Sequence, residues 1–173
     1  MITIRNLTSD DLPAVNQVYT HAVLHGTATF EETAPSLDEM GRRYDKVRAL
    51  GLPWLIAEAD GAVAGYAYAA PFRERSAYRF TLEDSVYVDP AHHRRGAGRT
   101  LLAELIARCE TLGYRQMIAA IGDTGNHASI ALHGALGFRE VGVYRTVGMK
   151  FGRWLDVVLM QRSLGEGGLS LPL

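Results

Sequence analysis

FTLEDSVYVDPAHHRRGAGRTLL, residues 80–102, changes its hydropathy period midway. Thr81 to Val88 is rich in valine and tyrosine with apolar residues in alternation, which predicts a β-strand. Asp89-Pro90 ends it. A basic, glycine-rich turn of Arg94, Arg95, Gly96, Ala97, Gly98 and Arg99 follows and opens directly into an amphipathic helix predicted over Gly96 to Leu112. Several backbone N–H groups at such a helix start have no acceptor of their own and converge on one point. The helix dipole adds roughly half a positive charge there, and glycines let a phosphate approach the backbone closely. The stretch therefore predicts a pyrophosphate site.

Commoner phosphate loops do not fit. A P-loop needs four residues between its glycines and then Lys-Ser/Thr, and neither is present. A dinucleotide fingerprint needs a third glycine three residues after Gly98, where Leu101 stands. What remains is Arg/Gln-x-x-Gly-x-Gly/Ala between a strand and a helix, and it resembles the acetyl-CoA loop of the GNAT superfamily of N-acetyltransferases. His93 occupies the usual Arg/Gln position.

Outward from that stretch, Met1 to Arg5 alternates as an opening strand. Thr8 to Asp11 supply cap and first-turn acids for a helix from about Asp10 to His21, with Leu12, Val15, Val18, Tyr19 and Ala22 on one face. GTATFEETAP, residues 26–35, has no helical period; it reads either as a loop beside a ligand or as an ordinary connector. Ser36-Leu-Asp-Glu39 is a capping box announcing a helix from Leu37 to about Leu50. Asp60-Gly61 joins PWLIAEA and AVAGYAYAAP as an antiparallel hairpin. Gln116 to Ile121 reads as a strand parallel to Thr81–Val88 across a helical crossover. A short helix, Ala128 to Leu136, and two strands, Phe138 to Arg145 and Trp154 to Gln161, complete a mixed α/β layer. One domain over residues 1–164 is expected, with a flexible tail at 165–173.

At 173 residues and 47% apolar the chain holds one ordinary domain. A net charge of −1 argues against a nucleic-acid binder that relies on a basic face. The single cysteine, Cys109, excludes an internal disulfide, fits a reducing cytoplasm and falls on the core stripe of its helix. No signal-peptide pattern and no apolar run long enough to span a bilayer is present, so the expectation is a soluble cytoplasmic protein with no membrane partner. Histidines without ligand-like spacing predict no metal.

Taken together, Thr29-Phe30, PWLIAE, TLEDSVYV, HHRRGAG, AAIGDTGNHAS, LHGALGF and GMKFGRWLDV resemble the phosphinothricin and methionine-sulfoximine N-acetyltransferases, from about Ile4 to Leu164. The resemblance implies the GNAT acyltransferase fold: a mixed, mostly antiparallel sheet with a parallel βαβ unit and helices on both faces. It implies acetyl-CoA as cosubstrate, held by Val86, Tyr87 and Val88, by Arg94 to Arg99, and by Asn126. It also implies a homodimer, with the GTATF loop or the closing strands as contacts.

Acetyl transfer to an amine needs a base, a polarised carbonyl and a proton for the departing thiolate. Glu83 reads either as that base, its pKa raised by burial, or as an exposed strand acid paired with Arg73, Arg75 or Arg79. Backbone N–H groups of Val86 to Val88 would stabilise the carbonyl oxygen if the strand splays as in the superfamily. His133 stands where many relatives carry a tyrosine and would supply or relay the proton; by pattern alone it also reads as a helix-surface histidine. With no reactive cysteine, direct transfer in a ternary complex is expected. FRERSAYR places Arg73, Glu74, Arg75, Tyr78 and Arg79 just upstream of Glu83; its arginines read either as solvated loop residues or, Arg73 first, as forks matching carboxylate or phosphinate oxygens, so a small zwitterionic amino acid or analogue is the expected acceptor, contacted also by Asp84 and Ser85. Alternatives are another amine (a protein N-terminus, a polyamine or an aminoglycoside), or an acyl-CoA-binding module without catalysis.

Overall fold

The computed structural model describes residues 1–172. Its elements, in chain order, are β1 (Ile2–Asn6), α1 (Leu12–His25), α2 (Leu37–Ala49), β2 (Trp54–Ala59), β3 (Ala62–Pro71), β4 (Thr81–Val88), α3 (Ala97–Thr111), β5 (Gln116–Gly122), α4 (His127–Ala135), β6 (Arg139–Lys150) and β7 (Arg153–Ser163). They form one seven-stranded sheet ordered β1-β2-β3-β4-β5-β7-β6. Every neighbouring pair is antiparallel except β4 and β5, which α3 joins as a parallel crossover. The mixed, mostly antiparallel sheet with one βαβ unit is thus as expected.

Local signals explain most boundaries. The Ser36 hydroxyl accepts from the Glu39 amide and starts α2, while Asp60 and Gly61 both take positive φ in the β2–β3 turn. The first helix differs from expectation: a 3-10 turn occupies Ser9–Asp11, and α1 runs on to His25. Pro13 is tolerated in its first turn, and Val23, fully buried, extends the apolar stripe by a further turn. The closing hairpin is also longer than predicted. Thr146 with φ 51° and a register shift between Tyr144 and Gly148 break the alternation, and pairing resumes to a Phe151-Gly152 turn.

Strand alternation sends side chains to two layers. Tyr66, Tyr68 and Trp54 stack together, and Tyr87 meets Tyr19 of α1 edge-on at 5.0 Å, so α1 and α2 cover this face. Leu101, Leu102, Leu105, Ile106 and Cys109 bury α3 against the other. Leu164 is buried at the end of β7, and residues beyond it form turns in which Glu166 accepts from Ser170. Leu173, the last residue of the expected tail, lies outside the described residues.

Candidate active site

The parallel pair holds for three residues only: Thr81 faces Gln116, Leu82 faces Met117 and Glu83 faces Ile118. Beyond that point β4 stays with β3 to Val88, and β5 stays with β7 to Gly122. The strands part immediately after Glu83. The Asp89 amide donates to Ala64 O of β3, and the β3–β4 ladder carries no bulge. Counting back by twos, Tyr87 and Ser85 also turn their amides to β3, whereas Val88, Val86 and Asp84 turn theirs to the gap. Val86 and Val88 therefore present backbone donors to the cleft. Tyr87, between them, also lines the cleft, but its backbone pairs with Tyr66 of β3 and its ring meets Tyr19 of α1.

A cleft of about 630 Å³ follows the gap and reaches the start of α3. Gly96 caps that helix with φ 92°, a conformation that costs glycine nothing. The Thr100 amide closes the first turn onto Gly96 O, leaving the amides of Ala97, Gly98 and Arg99 without intrahelical acceptors. A Cβ on Gly98 would sit 3.3 Å from Leu132 and 3.4 Å from Val88, so the helix start, α4 and β4 meet with no room to spare. Arg94 and Arg99 make no ion pair among the described residues. Arg95 turns to Asp60 instead, at 2.9 Å across an exposed surface. His93 Nε2 lies 3.0 Å from Val88 O. Asn126 caps α4: its Oδ1 accepts from Ser129 N, and its Nδ2 donates to Gly122 O, fixing the last turn of β5 at the cleft wall. These groups fit a pyrophosphate-bearing chain with amide groups. Unpaired helix-start donors, a glycine cradle and a strand edge with free amides are the partners such a ligand requires.

Glu83 stands where the strands first part, on the α1 face with Ser85. Burial, and then the neighbouring Asp84 charge, raise its pKa above the usual carboxylate range, while Arg73 works in the opposite sense. Arg73 is exposed, 5.1 Å from the Phe72 ring and 5.9 Å from the Tyr78 ring. Glu74 and Arg75 lie on the exposed turn before Tyr78, and Arg79 folds back to Ser76 O and over Phe80. The site thus brings Arg73 near Glu83 and leaves the other arginines outside. Asp84, expected beside them, lines the cleft from the other face of the sheet. Strand alternation sends it to the α3 side, where its Oδ2 lies 3.0 Å from His133 Nε2. His133 is buried in α4 rather than on the helix surface, with Nδ1 2.7 Å from Ser129 O. Burial opposes its charge, yet the hydrogen bond and charge of Asp84, with the Ser129 carbonyl, raise its pKa above the ordinary imidazole value. Among the described residues no cluster of three or more His, Cys, Asp or Glu side chains could hold a metal.

Sequence reasoning missed the wall of this site. Lys150, 1% exposed, donates to Gly26 O and Thr29 O at 2.8 Å each, and so clamps the 26–30 loop to β6. Phe30 sits over Gly122 and Gly148, where any Cβ would meet its ring. Tyr19 donates to Glu31, which Arg43 holds with both arms of its guanidinium. Fitting ring against glycine was visible only as Thr29-Phe30 and two isolated glycines. A lysine in a strand gives no sequence signal that backbone carbonyls await it.

The chain matches the acetyltransferase (GNAT) family over residues 15–138. It is 56% identical over 170 residues to the phosphinothricin N-acetyltransferase of Alcaligenes faecalis, covering 98% of this chain and 86% of that one. To the L-methionine sulfoximine/L-methionine sulfone acetyltransferase of Salmonella typhimurium it is 41% identical, covering 95% and 96%. Among solved structures, a GNAT superfamily phosphinothricin acetyltransferase from Sinorhizobium meliloti in complex with AcCoA superposes with a TM-score of 0.97 at 47% identity, over 99% of this chain and 93% of that one.

Proposed function

This chain belongs to the acetyltransferase (GNAT) family, and from that premise we propose that it moves the acetyl group of acetyl-CoA to the amine of a small amino acid or analogue, of the phosphinothricin or methionine sulfoximine kind. The observation that carries this is the parting of β4 from β5 just beyond Glu83, which opens a passage from the α3 side of the sheet to the α1 side. Acetyl-CoA, when bound, supplies an activated acyl group there. The amides at the start of α3, the Arg94 and Arg99 side chains and the Asn126 turn would hold its polar tail. Val86 and Val88 aim backbone donors at the gap, where a carbonyl oxygen gains charge during transfer.

On the opposite face Glu83 acts as the base. An acceptor ammonium must lose a proton before its nitrogen can attack, and a carboxylate whose pKa burial has raised takes that proton more readily than an exposed one. Arg73, next to Glu83 in charge and free of ion pairs among the described residues, is placed to hold the acceptor's acidic end. Ser85 shares that face. His133 holds the proton for the departing sulfur. Cys109 takes no part: burial and the nearby Asp84 push its thiol up to about 12, so no acyl-cysteine forms and transfer is direct.

The β6–β7 hairpin supports a homodimer. Tyr144, Val147, Met149, Phe151 and Trp154 are each more than half exposed, on and beside a strand that ends the sheet. A cytoplasmic location accords with the lone buried thiol; among the described residues no helix is long and apolar enough to cross a membrane.

Thiol release measured across amino acids, their phosphinic and sulfoximine analogues, a polyamine and an N-terminal peptide tests the acceptor class. Turnover confined to the polyamine or the peptide would refute it. E83Q is expected to lower kcat about 10²- to 10⁴-fold with acetyl-CoA binding unchanged, and equal loss of both would contradict the role of Glu83. Because Glu83 acts deprotonated and its pKa is raised, the acidic limb of the wild-type rate profile lies above the ordinary carboxylate value of 4.5.

A further inference from the structure

Asp84 and His133 face each other across the cofactor side of the cleft with almost no solvent contact, their side chains 2% and 4% exposed. Ser129 O can only accept, so the 2.7 Å contact fixes a proton on His133 Nδ1. In a neutral ring Nε2 would then be an acceptor, and so is a carboxylate oxygen; the 3.0 Å contact between them requires a proton in between. Asp84 Oδ1, also buried, has no hydrogen-bond partner at all. A buried carboxylate with one oxygen orphaned is sustained by a cation at the other, and among the described residues the His133 ring is the side chain hydrogen-bonded there. We infer that Asp84 is a positioning residue that locks the His133 ring, keeps it doubly protonated and so stores one proton at Nε2 beside the cleft.

The inference deepens the proposed function, since it rests on His133 as the proton source for the departing sulfur. The balance is simple. The proton leaves Nε2 for the thiolate sulfur, the ring becomes neutral, and Asp84 then lies buried without its counter-charge, a state that draws a proton back from solvent. The edge-on Phe138 ring, 5.0 Å away, shields the pair from water. Titratable neighbours are few: Glu83 follows the sheet to the other face, Cys109 approaches Asp84 from α3, and Arg162 of β7 is taken by Leu136 O and Glu110 near the end of α4.

Two measurements decide the matter. In the unliganded wild-type protein, long-range proton–nitrogen NMR of the imidazoles is expected to find both ring nitrogens of His133 still protonated above the ordinary histidine value of about 6.5. A ring carrying one proton there would overturn the inference. D84N keeps the shape and removes the charge. It is expected to lower kcat about ten- to hundredfold with both KM values little changed, and to move the basic limb of the kcat profile to lower pH. The acidic limb should follow in the same direction, because Asp84 also raises Glu83. Limbs that stay in place would overturn the inference, and so would D84N rings that stay doubly protonated. If D84N does not melt cooperatively, the wild-type ring result decides alone. H133Q separates the two levels: unchanged turnover alongside a doubly protonated wild-type ring removes His133 as proton source and leaves Asp84's hold on the ring standing.

Discussion

Gly96 holds φ 92° at the point where the chain turns from beyond the end of β4 into α3, and nothing stands within 4 Å of where its Cβ would be. Space is therefore not the constraint there; backbone conformation is. An L-residue at this φ costs about 1–2 kcal/mol, so G96A should melt lower by that amount without any clash. The strain also falls on the turn that presents the helix-start amides. Acetyl-CoA affinity, measured by calorimetry, is expected to drop more than the stability loss explains, and unchanged affinity would detach Gly96 from the cofactor site. Gly98 differs in kind: it has ordinary helical φ and is squeezed between Leu132 and Val88. Both glycines could be read in sequence as one motif; that one serves conformation and the other proximity could not.

The junction of β1 with α1 is held by an ion pair that the sequence hid inside a capping signal. Asp11 accepts from the Thr8 amide and from both outer nitrogens of Arg5, at 2.7 Å each, and its pKa falls to about 2, first through the Arg5 hydrogen bond. A carboxylate lowered from 3.8 to about 2 stabilises the fold fully above the unfolded value, and that contribution disappears as pH falls through the folded one. Asp11 is nearly buried but Arg5 is 40% exposed, which screens the pair, so D11N is expected to cost about 1–2 kcal/mol at neutral pH. Denaturant curves of wild type and D11N should converge between pH 3.8 and about 2; a constant gap would refute the assignment. Thr8 to Asp11 announced a helix start. The reach of Arg5 back across the turn depended on how β1 enters the sheet.

The whole sheet is asymmetric: β1 ends it on one side, and on the other β6 and its turn into β7, from Tyr144 to Trp154, carry a row of exposed apolar side chains. If two copies bury that row together, W154E should convert a dimer to a monomer in sedimentation while leaving the melting profile cooperative; a wild-type monomer would refute the homodimer. Position in the sheet also explains what could and could not be foreseen. Strand order near the centre, the β2–β3 turn, the crossover through α3 and the glycine-rich start of that helix were all legible, because period, turn residues and helix caps act within a few residues of chain. So were the identities of Glu83 and His133 as chemically capable groups. Which way they face was not. Glu83 and Asp84 are adjacent, and strand alternation sends them to opposite sides of the sheet, one toward α1 and one to His133 on an α-helix 49 positions away. The Lys150 clamp on Gly26 O and Thr29 O likewise spans more than 120 residues. Local patterns along the chain carried most elements and the chemistry each could offer. The partners came from the fold, because a buried charge is defined by what surrounds it, and those surroundings come from parts of the chain that no local pattern connects.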